Sequence, residues 1–208
     1  EWEGDWSLMM VTRDGVAKKS DAAAFKDVRR SGLIAITLKG EDSLIAARFV
    51  GKSDEVSLVT AGGQAIRFKE SDIRQMGRTA AGVTAMKLGK DDVIVSADVL
   101  SKGEQDREIL VVTENGFGKT TPAKEYKVQK RGGSGIKTVK LTSKTGSIVG
   151  AAVLSGEEKA DGELVVMSAK GQVIKLSLKD VPSLGRQTQG VRVMKLRAGD
   201  KIATIVFV

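Results

Sequence analysis

Four stretches of this chain repeat one pattern, and that recurrence constrains the fold more than any other feature. Each stretch has an apolar strand, a short turn ending in glycine, and a second short strand. They read LMMVTRDGVAKK from Leu8, VSLVTAGGQAIRFK from Val56, LVVTENGFGKT from Leu110 and LVVMSAKGQVIKL from Leu164. The turn glycines are Gly15, Gly63, Gly116 and Gly171, at intervals of 48, 53 and 55 residues. Asp14-Gly15 and Asn115-Gly116 are strong hairpin signals, because a type I′ turn needs positive φ at both central residues. A second glycine follows each first one after 17, 19, 19 and 19 residues, at Gly32, Gly82, Gly135 and Gly190. Each opens a further apolar strand, LIAITL, VTAMKL, IKTVKL and VRVMKL, and a fourth strand closes each unit: SLIAARFV, VIVSADVL, SIVGAAVL and KIATIVFV.

A lone four-stranded sheet of this size leaves one apolar face wet, so neighbouring units must cover each other. Strand-rich repeats of roughly 40–50 residues do this as propeller blades. The expected fold is all-β, one propeller-like domain over 1–208, with four-stranded blades at about 6–55, 56–108, 109–162 and 163–208. The connectors GKSDE, SKGEQDRE and SGEEKADGE are short and acidic and read as interblade loops. Separate small β-barrels are the alternative packing.

Charge supplies the next constraint. Lys and Arg total 34 against 26 acidic residues, a net charge of +8, which favours polyanionic partners. No apolar run approaches the about 18 residues of a membrane span. The chain has no cysteine and no histidine, which removes disulfides, thiolate metal sites and Ser-His or Cys-His catalysis. It begins at Glu1 without an initiator Met or a signal peptide, and reads as a fragment of a longer protein.

The cations recur at fixed places. QKRGGSG, Gln129 to Gly135, is the loop before the second glycine of the third repeat; its equivalents are GRTAAG and GRQTQG. Arg78, Arg131 and Arg186 each sit four residues before that glycine, and the first repeat offers Arg29 and Arg30 nearby. The second hairpin strands and the residues that follow carry Lys18, Lys19, Arg67, Lys69, Lys119 and Lys175. From Lys124 to Lys144 there are seven cations, including Lys127, Lys130 and Lys137, against the single acid Glu125. Repeat symmetry converts these positions into one curved positive rim. In the loop itself, Gly132 and Gly133 would let backbone N–H groups approach a phosphate without β-carbon obstruction. The competing reading is a glycine-rich turn with incidental charge.

Two motifs fail. Gly116-Phe117-Gly118-Lys119-Thr120 resembles the end of a P-loop, but Thr113 occupies the place of its first glycine. Tyr126, the only tyrosine, has no histidine partner and is expected to pack the loop.

The stretch ENGFGKTTPAKEYKVQKRGGSGIKTVKLTSKTGSIVGA closely resembles a blade of the C-terminal domain of DNA gyrase A, of the type IIA topoisomerases. The second and fourth repeats are similar to late blades of that domain, so the resemblance covers Leu8 to Val208. It implies a β-pinwheel, a propeller whose blades exchange strands, and non-sequence-specific binding, bending and wrapping of duplex DNA. The implied parent is an ATP-hydrolysing enzyme that introduces negative supercoils, with the rest of gyrase A and the gyrase B protein as partners. The implied location is cytoplasmic and nucleoid-associated. The family's box reads Gln-Arg-Arg-Gly-Gly-Arg/Lys-Gly and belongs to its first blade. Here Lys130 and Ser134 depart from it, and the match lies in the third repeat. Two further blades and the complete box are therefore expected upstream of Glu1. No catalytic residue, metal or cofactor is expected in the fragment. The rival readings are the corresponding domain of topoisomerase IV, a protein-interaction propeller that binds an acidic partner, and a small carboxylate enzyme.

Overall fold

The computed structural model describes residues 5–28, 30–103 and 106–208. The strands are β1 Ser7–Thr12, β2 Val16–Asp21, β3 Leu44–Val50, β4 Glu55–Thr60, β5 Gln64–Lys69, β6 Val83–Thr84, β7 Ile94–Leu100 and β8 Glu108–Thr113. They continue as β9 Phe117–Pro122, β10 Val128–Gln129, β11 Ile136–Lys137, β12 Ile148–Leu154, β13 Glu163–Ser168, β14 Val173–Ser177, β15 Val191–Arg192 and β16 Ile202–Phe207. Each repeat opens on the expected hairpin. Gly15, Gly63, Gly116 and Gly171 all have φ between 81° and 84°, the left-handed conformation such turns require.

The sheets are β3-β1-β2-β6, β7-β4-β5-β10 with β11 also on β5, β12-β8-β9-β15, and β16-β13-β14. The outer strand of each of the first three sheets therefore comes from the following repeat. This corrects the expectation that each repeat supplies four strands to its own blade, and the fourth sheet has three strands. The β-pinwheel implied by the resemblance is the architecture observed. The apolar segments after the second glycines pair for only two residues in the second, third and fourth repeats, and LIAITL in the first forms no strand, which corrects the expectation of a strand there. Beyond that, the N–H groups of Ala85 and Met86 both turn onto the carbonyl of Gly15, and those of Val193 and Met194 onto Gly116. The segment thus curls over the neighbouring hairpin instead of extending along it.

The sheets stack through alternate side chains of their middle strands. Val56 and Leu58 of β4 pack with the first sheet, whereas Val59 packs with the third. Leu110 and Val112 of β8 face the fourth sheet, while Ile109 and Val111 face the second. Both faces of a middle strand are therefore buried, which explains the near-continuous apolar runs. Strands β3, β7, β12 and β16 touch in succession on the inner side, leaving the exchanged strands outermost. After each second hairpin strand a single 3-10 turn buries one anchor ten residues past the turn glycine: Phe25, Ile73, Tyr126 and Val181. The third connector is not a loop but a helix, α1 Gly156–Asp161, started by a capping box between Ser155 and Glu158.

Candidate nucleic-acid interface

Strand exchange assembles the outer rim. The third repeat lays Val128 and Gln129 parallel to Arg67 and Phe68, which sets Lys130 beside Lys69 in the same register. It then returns antiparallel, with Ile136 opposite Ala65 and Lys137 opposite Gln64. Lys69, Lys124, Lys127, Lys130, Arg131, Lys137 and Lys140 are all exposed at this second-sheet edge and its flanks. Lys130 pairs with Asp72 at 3.0 Å, yet its side chain is 89% exposed, so water or an anion reaches it. Two further cations, Lys144 and Arg192, converge on the Phe117 ring at 5.5 and 5.7 Å. The acidic connectors pack instead against the 3-10 turns: Glu70 N–H donates to Asp54 and Ala123 N–H to Arg107.

The other cations sort by their offset from the turn glycine. Lys18 and Lys119, three residues past it, are fully buried, which corrects their assignment as surface contacts. Lys119 Nζ donates to the carbonyls of Gly185 and Arg186 at 2.6 and 2.8 Å and to Thr188 Oγ1 at 3.1 Å. Lys18 likewise donates to the carbonyls of Ala35 and Arg78. Each lysine holds the basic loop of the next repeat. Burial pulls the Lys119 ammonium down to about 8, with Glu125 opposing and Arg186 adding to the fall. Burial lowers Lys18 as well, aided by Arg78. The second blade has Ile66 at this offset, and Gly133 closes against it instead.

Cations four residues past the turn glycine are committed to carboxylates: Lys19 to Glu70, Arg67 to Glu55 and Lys175 to Glu163. Lys19 and Arg67 are largely enclosed, while Lys175 is exposed. Arg67 also donates to the Ala123 carbonyl at 2.8 Å.

The recurring loop arginines are staples. Arg131 Nη1 donates to the Thr84 carbonyl at 3.0 Å and its Nε to the Asp72 carbonyl at 2.8 Å. Arg186 Nη1 donates to the Lys137 carbonyl at 2.8 Å, and its guanidinium lies 5.9 Å from the Tyr126 ring. In both cases the acceptor is the second residue of the preceding exchanged strand. Arg78 is half-buried and Arg30 exposed, while Arg29 lies outside the described residues. The expected glycine cradle is corrected at Gly132, whose N–H already donates to the Ala85 carbonyl at 2.6 Å. Tyr126 packs as expected, with its hydroxyl 2.5 Å from Thr138 Oγ1.

Sequence reasoning left Lys87 and Lys195 aside and counted Lys140 only among the seven cations from Lys124 to Lys144, although the three are equivalent. Each lies five residues past the second glycine, is exposed, and precedes a leucine that closes on the preceding turn glycine: Leu88 on Gly15, Leu141 on Gly63, Leu196 on Gly116. The recurring Lys-Leu pair was the signal.

These features define a class: a strand-exchanging β-propeller repeat domain with a cation-bearing rim. The model of the family described as DNA gyrase C-terminal domain, beta-propeller, matches residues 7–50, 54–101, 107–155 and 162–208, and the chain belongs to that family. DNA gyrase A of Staphylococcus epidermidis (strain ATCC 12228 / FDA PCI 1200) is 42% identical over 205 residues, 99% of this chain and 22% of the relative. Its counterpart in Staphylococcus aureus (strain MRSA252) is 38% identical over 198 residues, 95% of this chain and again 22% of the relative. The chain thus spans under a quarter of these relatives. Among solved structures, a DNA gyrase A C-terminal domain superposes with TM-score 0.83 at 27% identity, covering 99% of this chain and 66% of that one. The C-terminal domain of a DNA topoisomerase IV superposes with TM-score 0.90 at 26% identity, covering 100% of this chain and 63% of that one.

Proposed function

We propose that this chain binds duplex DNA without reading its sequence, bending it along the outer rim so that it wraps. The observation that carries this reading is the exposed row of Lys69, Lys127, Lys130 and Lys137 on the second sheet's outer edge, gathered by strand exchange. Family membership supports it, as does the concentration of exposed cations on exchanged segments. Backbone phosphates suit such a row because lysines on successive segments act as point charges along a curve. Bending a 20–30 bp site by 40–90° costs on the order of 1–6 kcal/mol, which a handful of phosphate contacts with counterion release offsets. Aromatic residues are 4% of the chain, too few for a stacking track along single strands.

In the parent protein this wrapping would bias an ATP-dependent type II topoisomerase toward negative supercoiling, together with the rest of gyrase A and the gyrase B protein, on cytoplasmic nucleoid DNA. The binding fragment itself performs no chemistry in this reading. The close superposition on a topoisomerase IV domain favours one second reading, in which the rim directs DNA without wrapping it.

The test compares the chain with Lys127→Ala/Lys130→Ala/Lys137→Ala in duplex mobility shifts at several salt concentrations. Removing three phosphate contacts should make the slope of log K against log salt shallower by about 2.7. Unchanged affinity and slope would sink the proposed interface. Energy transfer between labelled duplex ends should rise on binding; a straight duplex in the complex would leave the directing role. Displacement by an acidic polypeptide but not by duplex DNA would point to a protein partner.

A further inference from the structure

The closing strands β3, β7, β12 and β16 form the inner edges of their sheets, each paired with a strand on one side only among the described residues. Such edges carry backbone groups with no ladder partner, so the inner side of the arc is where polar contacts between blades can form. Arg48, Asp98, Ala152 and Val206 occupy the same place in the four closing strands. They stand opposite Met9, Ser57, Leu110 and Val165 of the middle strands. The second sheet is the exception in this row. Where the other middle strands offer hydrocarbon to the next blade, it has Ser57, 2% exposed, beside a carboxylate.

That carboxylate joins three blades. Asp98 Oδ1 accepts from Arg48 Nε of the first blade at 3.1 Å. Its Oδ2 accepts from Ser96 Oγ of its own strand at 3.1 Å and from the Val153 N–H of the third blade at 3.3 Å. The last contact gives an amide of the edge strand β12 a partner outside its own sheet. The Asp98 side chain is 17% exposed and that of Arg48 53%, so the ion pair alone adds little stability. What the carboxylate supplies is a fixed point shared by three consecutive inner strands, with both oxygens occupied.

The third and fourth blades are spaced by other means. A Cβ on Gly150 would stand 2.6 Å from Ile205 Cδ1, so those inner strands meet through hydrocarbon, and glycine makes the room.

We propose that Asp98 is a positioning residue that fixes the arc of the first three blades, and through that arc the bend imposed on bound duplex. The step from arc to duplex rests on the bending reading; the step from Asp98 to arc does not. Blades that splay outward from touching inner strands make a curved rim. Without the carboxylate those inner strands are free to spread, the sheets turn toward parallel, and the rim flattens. Each rim cation keeps its place on its own blade, so phosphate contacts are retained.

The chain has no cysteine, so Glu41→Cys with Ser143→Cys gives a unique spin-label pair at exposed positions of the first and third repeats. Dipolar distance measurement on the free chain reads the arc. Asp98→Ala should lengthen the distance and broaden its distribution. Asp98→Asn, which keeps the shape and loses the charge, and Arg48→Ala, which removes one arm, should each shift it the same way by less. Val181→Ala, which trims a buried anchor of the fourth blade, should lower the unfolding midpoint and leave the distance unchanged, separating the bracket from a general loss of stability. With end-labelled duplex at saturation, Asp98→Ala should give lower energy transfer than the unmodified chain at the same slope of log K against log salt. Distances unchanged in both Asp98 variants would overturn the proposal, as would a longer distance with unchanged energy transfer. A shallower salt slope would show that rim contacts had been lost and would overturn it too. A duplex left straight by the unmodified chain would refute the bending reading instead, while the label distances would still decide whether Asp98 sets the arc.

Discussion

Gly135→Ala isolates the energetics of strand exchange. A methyl at Gly135 would stand 2.5 Å from the Ala65 carbonyl oxygen and 2.8 Å from Met86 Cε, at a backbone φ of +74°. The side chain of Met86 can swing away, but the β5 carbonyl cannot move without disturbing the sheet. Holding alanine in the left-handed region costs about 1–2 kcal/mol. Relieving the contact lifts β11 off β5, and losing two backbone hydrogen bonds there adds about 1 kcal/mol each. The Arg186 staple ends on Lys137 in the same strand, so it is strained as well. The expected loss is therefore about 3–4 kcal/mol, a fall in thermal midpoint on the order of 10 °C for a chain of this length. Gly32→Ala is the matched control: its φ is nearly the same, but the site is open, so only the about 1–2 kcal/mol conformational cost applies. Denaturant unfolding of both variants at low chain concentration measures the difference. Equal losses would refute the claim that close approach of the exchanged strand, rather than the turn conformation, makes glycine necessary.

Two other outcomes are expected. The buried Lys119 has a folded-state value of about 8 against 10.5 when exposed, so between those limits the unfolded chain holds the extra proton and stability contributed by this site rises with pH. The unfolding midpoint of the unmodified chain relative to Lys119→Met should climb from pH 8 to 10 and be flat below 7; a flat difference throughout would remove the buried ammonium from the account. Replacing Lys87, Lys140 and Lys195 together by glutamine should reduce the salt dependence of duplex binding by about 2.7 in log-log slope while leaving the unfolding free energy within about 0.5 kcal/mol of the parent. An unchanged slope would exclude these three from the interface.

Much of the architecture is legible because hairpin chemistry and repeat spacing are local signals. Asn115-Gly116 announces its turn, and Ser155 with Glu158 three residues later announces α1, although acidity alone made that stretch read as a loop. The destination of the exchanged strands is carried by no local pattern. Two residues of pairing leave no periodicity to detect, and the decisive contact is a glycine over a carbonyl in another repeat.

Recurrence located the cations correctly along the chain but could not say which way each one points. A strand covered on one side alternates simply, so an offset of three or four would separate inside from outside. Here the middle sheets are covered on both sides, and the lysine three past the turn meets the backbone of the next loop, where carbonyls from Ala35 and Arg78, or Gly185 and Arg186, replace water. The residue four past the turn meets a glutamate, from the same hairpin in the second and fourth blades and from the next repeat in the first. Cations on the exchanged segments and after the 3-10 turns, such as Lys127, Lys137 and Lys140, stay exposed instead, because those stretches lie outermost. Strand exchange thus has two consequences from one geometry. It turns hairpin lysines into internal fasteners, and it places a different set, Lys127, Lys130, Lys137 and Lys140 foremost, where a polyanion outside the molecule can reach them.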